Sequence, residues 1–253
     1  MQKYLKFLPF VLLGLITLAF AVHGAIPQLD HYHEFADQSQ LFGLMHASDV
    51  LSNLAFLWVG LWAVSRMLHM AESRDLKTRL EVPALVVFVL SIVATAWCSS
   101  YYHLAPDNAR LFWDRLPIAV ACASLLALVR AQCFGTKNSS RLELLAFCGF
   151  AVFSVIWWQA TEDLRPYLLL QIMAVLLPPI WQSIYQRPVA ERMSFAAAIV
   201  CYVVAKLCET ADATILNMTG VISGHTLKHL LAALAAYFIL RPLLTQAESV
   251  APS

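Results

Sequence analysis

Residues 82–103 read VPALVVFVLSIVATAWCSSYYH, an apolar run that ends in a segment bearing serine and histidine. A transmembrane helix needs about 20 mostly apolar residues. The run therefore predicts a helix that crosses a membrane and carries polar side chains at one end.

Similar runs recur along the whole chain. Hydrophobic residues make up 60% of the sequence and charged residues 13%, whereas soluble domains carry about 25% charged residues. The composition predicts an all-α membrane protein and excludes a soluble enzyme with a single anchor. The predicted spans are residues 5–25, 49–69, 82–103, 112–133, 142–160, 165–185, 193–210 and 224–242.

The basic residues segregate strongly when the loops are assigned to alternating sides. Three lie on one side, Arg110, Arg115 and Arg165, and two more, Lys206 and Lys228, lie within helices. Because basic loops stay in the cytoplasm, the richer side and both termini are predicted to be cytoplasmic. That side carries Lys3, Lys6, Arg66, Arg74, Lys77, Arg79, Arg130, Lys137, Arg141, Arg187, Arg192 and Arg241.

Three short patterns lie at the predicted outer side. Ser99 and His103 are four residues apart at the end of the third span, and Asp114 opens the fourth. His225 and His229 are again four apart, so both lie on one helix face at the start of the last span. Each pattern alone is weak, but loop parity places all five residues at the same depth and face.

Together these residues would suit a hydrolytic zinc site. Three neutral imidazoles with one open position form a catalytic zinc arrangement. Asp114 could take a proton from the attacking water, and the Ser99 hydroxyl could stabilise an oxyanion. The sequence therefore predicts hydrolysis of an amide or an ester.

The same residues resemble the alkaline ceramidases of the CREST superfamily, a group of seven-helix membrane hydrolases. Three longer stretches are also similar to ceramidase motifs: DVLSNLAFLWVG at 49–60, SSYYHLAPDNARLFWDRLPI at 99–118 and GHTLKHLLAALAAY at 224–237. The resemblance implies a seven-helix domain over residues 30–242. Residues 1–29 would add an N-terminal transmembrane helix or signal anchor, although a cleaved signal peptide is the alternative. Residues 243–253 would form a cytoplasmic tail.

The resemblance also implies roles for the five residues. His103, His225 and His229 would bind Zn²⁺, Ser99 would act on the oxyanion side, and Asp114 would act as the base. The substrate would be a ceramide-like lipid, cut into a sphingoid base and a fatty acid.

The N-terminal segment departs from the ceramidase pattern. Those enzymes bind calcium through an acidic cluster, and here Asp30, Glu34 and Asp37 are the candidate Ca²⁺ ligands. His46 stands where the family has a glutamate. The alternatives are a solvated acidic loop or a second metal site formed by three histidines. Those histidines are His31, His33 and His46.

A last polar set is Lys206, Glu209 and Asp212, near the end of the seventh span. These residues either contact a polar lipid headgroup or pair with one another.

Other functions stay open beside a zinc-dependent lipid amidase. The substrate could be another N-acyl lipid or a phospholipid ester, and a non-catalytic receptor, a haemolysin III-like protein or a metal transporter would belong to different classes. No nucleic-acid partner is expected. Short loops favour a multi-pass protein of a bacterial inner membrane with its site toward the periplasm.

Overall fold

In a computed structural model, described here for residues 5–70 and 79–245, the chain is a bundle of α-helices with one small hairpin. The basic residues Lys3, Arg74 and Lys77 and residues 246–253 of the predicted tail lie outside the described residues. The elements are α1 Leu8–His23, β1 Gln40–Leu41, β2 Leu44–Met45, α2 Ala47–Ser52, α3 Leu54–Met70, α4 Val82–Leu104, α5 Asn108–Phe134, α6 Lys137–Thr161, α7 Arg165–Ile184, α8 Val189–Thr210, α9 Asp212–Thr219 and α10 Gly224–Thr245.

Seven helical segments of the described chain are long and apolar enough to cross a membrane. They are α3 with the short α2 before it, then α4 to α8, and α10. The prediction of an all-α, multi-pass membrane protein is confirmed. The remaining predicted span, residues 5–25, corresponds to α1. This helix has 16 residues and is about 24 Å long at 1.5 Å per residue. This is shorter than a usual span, so the crossing of the membrane by α1 stays a prediction.

Local sequence signals explain where most helices begin. Proline occupies the first turn of α1, α4 and α7, where its missing N–H leaves no hydrogen bond unmade. The Asp107 side chain caps α5 by accepting from the Arg110 amide, and Thr136 forms a capping box with Ser139 at the start of α6. These capped first turns are polar, so α5 and α6 begin four and five residues before the apolar spans predicted at 112 and 142.

Helix α5 is at the centre of the bundle and packs against α4, α6 and α7. Helix α10 packs against α8 on one side and α3 on the other. Between α1 and α2 the chain forms the hairpin, with Gln40 opposite Met45 and a turn at Phe42 and Gly43. Both turn residues have positive φ, at 50° and 82°, as a two-residue turn with right-handed strand twist requires.

Asp163, in the loop between α6 and α7, connects the segment after α1 to the bundle. Its carboxylate accepts hydrogen bonds from the Ile26 amide, the Trp157 indole and the Arg165 guanidinium. Arg165 in turn donates to the Phe20 carbonyl at the end of α1. Burial by itself would raise the pKa of Asp163, but the hydrogen bonds from Arg165, Ile26 and Trp157 hold this pKa well below its usual range.

We expect Asp163→Asn to loosen α1 and to lower the melting temperature of the detergent-purified protein by several degrees at pH 7. Losing one partner of a hydrogen-bonded charged pair costs about 1–3 kcal/mol. Because the folded-state pKa is lowered, this stabilisation is fully present above about pH 4 and is lost as the pH falls further. The deficit should therefore be the same at pH 5 and pH 8.

Asp107→Asn provides the matched control, because Asp107 is an exposed cap and asparagine caps as well as aspartate. Equal melting temperatures for Asp163→Asn and the wild type would contradict the assigned role.

Candidate metal centre

The two histidines of α10 lie in its first two turns, at a close approach to α8. A Cβ on Gly224 would overlap the Cys208 carbonyl oxygen and lie 2.8 Å from Asp212 Cα. Glycine is therefore needed here for α10 to start against the end of α8. The Asp212 carboxylate then accepts from the His225 amide at 2.7 Å, which satisfies a free N–H of the first turn.

The structure brings His103, His225 and His229 together. Their side chains each offer a nitrogen, and these nitrogens all lie within 4.8 Å of one another. The three residues are 1%, 5% and 3% exposed, so little water reaches them. Within the described residues, this is the one group of three or more histidine, cysteine or carboxylate side chains that could hold a metal ion. The predicted convergence of the three histidines is confirmed, and the identity of a bound metal is not given by the geometry.

His229 is held in one orientation by two residues of α2. Its Nδ1 lies 2.8 Å from Ser52 Oγ and 3.2 Å from the Asp49 carbonyl oxygen. The Ser52 hydroxyl itself donates to that carbonyl, so the hydrogen-bond network assigns a proton to Nδ1 of His229. Its Nε2 then carries the lone pair, as a metal ligand requires.

Asp49 is completely buried and connects the segments around His229 through its hydrogen bonds. Its Oδ1 accepts from Thr226 Oγ1 at 2.6 Å and from Ser223 Oγ at 3.1 Å. Its amide donates to Asp37 Oδ2 at 2.9 Å. Asp49 therefore joins the start of α10 to the segment before α2.

His225 has two close polar neighbours. Its Nε2 lies 3.2 Å from His103 Nε2 and 3.1 Å from the Lys228 ammonium nitrogen. A metal ion bound to this nitrogen would replace Lys228 as its partner. Lys228 would still be paired with the Glu209 carboxylate, to which it donates at 2.8 Å. The donor set of three imidazoles suits zinc.

His103 completes the cluster from the end of α4. Its Nδ1 is buried and makes no hydrogen bond within the described residues, whereas its Nε2 faces His225. The Phe35 ring covers the cluster, with its centroid 4.6 Å from that of His103 and 4.4 Å from that of His225. An aromatic ring in this position excludes water from the two imidazoles.

Ser99 and Asp114 are both buried beside the cluster, Ser99 one turn before His103 on the same helix. The Asp114 carboxyl interacts with the Ser99 hydroxyl and lies within electrostatic range of Lys228. Its Oδ1 has no hydrogen-bond partner among the described groups. An acceptor of this kind is available to a substrate or to water.

Arg115 follows Asp114 and is 3% exposed. Its guanidinium carbon lies 3.9 Å from the ring centre of Trp158, and the rings of Tyr32 and Tyr167 lie just over 5 Å away. This cation–π cage keeps a positive charge near the Asp114 carboxyl. The sequence predicts no role for Arg115 in the site, and its position directly after Asp114 is the signal that could have indicated one.

The predicted calcium ligands are not gathered into a site. Both carboxylate oxygens of Asp37 accept backbone amides, from Ser39 and Asp49. Glu34 forms an exposed ion pair with His31. Asp30, Glu34 and Asp37 do not form a metal-binding group within the described residues.

His31, His33 and His46 do not form a metal-binding group in the described part of the chain either. His33 bonds to Tyr102 and Asn108, and His46 bonds to the Asp37 carbonyl.

The polar set of Lys206, Glu209 and Asp212 forms ion pairs and backbone contacts. Glu209 pairs with both Lys206 and Lys228, which is the alternative that the spacing left open. Asp212 accepts from the amides of Ala36 and His225. Contact with a lipid headgroup stays a prediction.

Comparison with models of known protein families and with curated proteins finds no match for this chain. The function must therefore be argued from the geometry of the site.

We expect purified wild-type protein to hold about one divalent metal ion per chain and His225→Ala to lose it, because two imidazoles alone bind zinc weakly. Metal content after dialysis, measured by plasma mass spectrometry, tests this. His69→Ala is the control, since His69 is at the far end of α3 and, within the described residues, bonds to the Ser65 carbonyl. A full metal complement in folded His225→Ala would contradict the site.

Ser52→Ala should weaken zinc binding without abolishing it. Removing the partner of a metal-ligating histidine typically lowers metal affinity about 10- to 100-fold. Competition with a chelator measures the change, and Ser48→Ala, whose hydroxyl meets only Ser39, serves as the matched control. An unchanged affinity in Ser52→Ala would show that His229 needs no such support.

Proposed function

We propose that this protein is a zinc-dependent membrane amidase that cleaves a ceramide-like lipid into a sphingoid base and a fatty acid. The observation that carries the proposal is the meeting of the three stretches that resemble ceramidase motifs. Ser52 from the first stretch bonds to His229 from the third, and His103 from the second lies against His225. These stretches are far apart in the sequence, so local secondary structure alone does not bring them into contact.

The residues present fit a metal centre of this type. Three buried imidazoles converge, and one has its tautomer fixed by hydrogen bonds. Zinc, when bound, would lower the pKa of a coordinated water toward about 7 and polarise the substrate carbonyl. The remaining chemistry belongs to the side chains of the chain itself.

Asp114 is the proposed general base. Its carboxylate takes a proton from the attacking water as the water oxygen bonds to the amide carbon. When the C–N bond breaks, the same proton passes to the leaving nitrogen, so the products are a neutral amine and a carboxylic acid. The unpartnered Oδ1 of Asp114 is the atom available for both transfers.

Ser99 is the proposed oxyanion donor. Its hydroxyl is buried next to Asp114 and would donate to the carbonyl oxygen as negative charge develops there. Phe35 keeps bulk water away from the same region. Low local polarity strengthens each of these interactions.

The lipid would reach the site from the membrane side by lateral movement. In the proposed orientation both termini lie in the cytoplasm and the site faces the periplasm of a bacterial inner membrane. This orientation follows from the distribution of basic loop residues.

We expect Asp114→Asn to reduce fatty-acid release from ceramide about 10²- to 10⁴-fold, which is the usual contribution of a general base, while zinc content stays at the wild-type level. Ser99→Ala should lose about 10²-fold or more. Mass spectrometry of a mixed set of N-acyl lipids and phospholipid esters measures both the rate and the substrate class.

Ser100→Ala is the control for Ser99→Ala, because the Ser100 hydroxyl donates to the Val50 carbonyl and not into the site. Wild-type rates in Asp114→Asn would rule out the mechanism. Cleavage of phospholipid esters in place of N-acyl lipids would rule out the substrate class but keep the metal chemistry.

A further inference from the structure

A large apolar cavity lies between α1 and the helices α5, α6 and α7. Its volume is about 620 Å³, within the range of about 300–1,000 Å³ that is usual for ligand sites. Aromatic and aliphatic side chains line it, among them Phe10, Leu13, Phe150, Met173 and Trp181. Phe10 is 66% exposed, so the cavity opens sideways beside α1.

The cavity is separate from the histidine cluster. Arg130, which lines it, follows Asp114 by 16 residues on α5, and the two are therefore about 24 Å apart along the helix axis. The cavity lies toward the end of the bundle where the basic loop residues are concentrated.

Positive charge marks one end of this cavity. Lys6 and Arg130 both line it. Arg130 forms a two-point ion pair with Glu143. Lys6 lies 5.7 Å from the ring centre of Tyr185, and it has no carboxylate within ion-pair distance in the described part of the chain. Among the described residues, Lys6 is therefore an uncompensated positive charge at this end of the cavity.

A smaller groove of about 380 Å³ runs on the other side of the start of α1, and Ile184 lines both spaces. Leu5 and Leu8 form one wall of this groove, and Ile180 forms part of the other. Two apolar spaces thus lie side by side at the start of α1, and Lys6 lines the larger one.

We propose that this cavity binds an anionic diacyl phospholipid. Apolar space that opens sideways in a bilayer is filled by hydrocarbon, because water has no hydrogen-bond partners there. One acyl chain would lie in the cavity and the second in the groove, with the phosphate beside Lys6. Basic pockets between transmembrane helices on the cytoplasmic side are typical sites for anionic headgroups. The site is independent of the proposed hydrolysis and gives α1 a binding role.

Native mass spectrometry of the full chain in neutral detergent tests the proposal, with phosphatidylglycerol, phosphatidylcholine and palmitate titrated separately. We expect phosphatidylglycerol to bind most tightly. Lys6→Gln should weaken it about fivefold, the effect of one basic residue near an anionic lipid. Lys137→Gln, an exposed lysine at the start of α6, should leave binding unchanged.

Leu13→Trp fills the cavity from its partly exposed α1 wall and should block phosphatidylglycerol binding without unfolding the bundle. Equal affinity for phosphatidylglycerol and phosphatidylcholine would overturn the proposal. So would equal losses in Lys6→Gln and Lys137→Gln, or undiminished binding in folded Leu13→Trp. Palmitate binding as tightly as phosphatidylglycerol would exclude the diacyl ligand.

Discussion

The buried carboxylate of Asp49 is the constraint around which the metal centre is arranged. A carboxylate removed from water is strongly unfavourable unless hydrogen bonds replace the lost hydration. Oδ1 of Asp49 obtains them from Ser223 and Thr226, both at the start of α10, whereas Oδ2 has no partner among the described groups. The two bonds to Oδ1 fix the first turn of α10, and the same backbone that carries Asp49 contacts His229. The need for partners at one buried charge thus sets the position of a metal ligand.

The polar segment between α1 and α2 acts as a cover for this centre. Phe35 lies on two of the histidines, and the next two residues are bonded to the bundle: the Ala36 amide to Asp212 and the Asp37 carboxylate to the Asp49 amide. Carboxylates are strong acceptors for backbone amides, and Asp37 is the acidic residue of the segment that is used in this way. Its two oxygens are therefore already occupied, and the exposed Glu34 pairs with His31, so the described acidic residues of the segment do not gather into the expected calcium site.

The sequence alone predicts the helices and the convergence of the three histidines. Helical spacing places His225 and His229 on one face, and loop parity places His103 at the same end, so neither inference needs a tertiary contact. The roles of Asp49 and Lys228 could not be inferred in this way. Asp49 bonds to residues more than 170 positions away, and Lys228 acts through its neighbours His225 and Glu209. Hydropathy also missed the polar first turns of α5 and α6, because a capped turn is helical without being apolar.

The two ends of the bundle are chemically different, and α5 connects them. Asp114 at its first end has a buried oxygen without a partner, which is unfavourable in an apolar interior and is characteristic of a site that meets another molecule. Arg130 at its other end is neutralised by Glu143, so the charge available there comes from Lys6 on the chain leading into α1. A helix as short as α1 gains little as an isolated membrane span, whereas it forms one wall of the cavity, and Lys6, just before it, carries the positive charge. The contribution of α1 to the protein is therefore the surface that it completes, whether or not α1 crosses the bilayer.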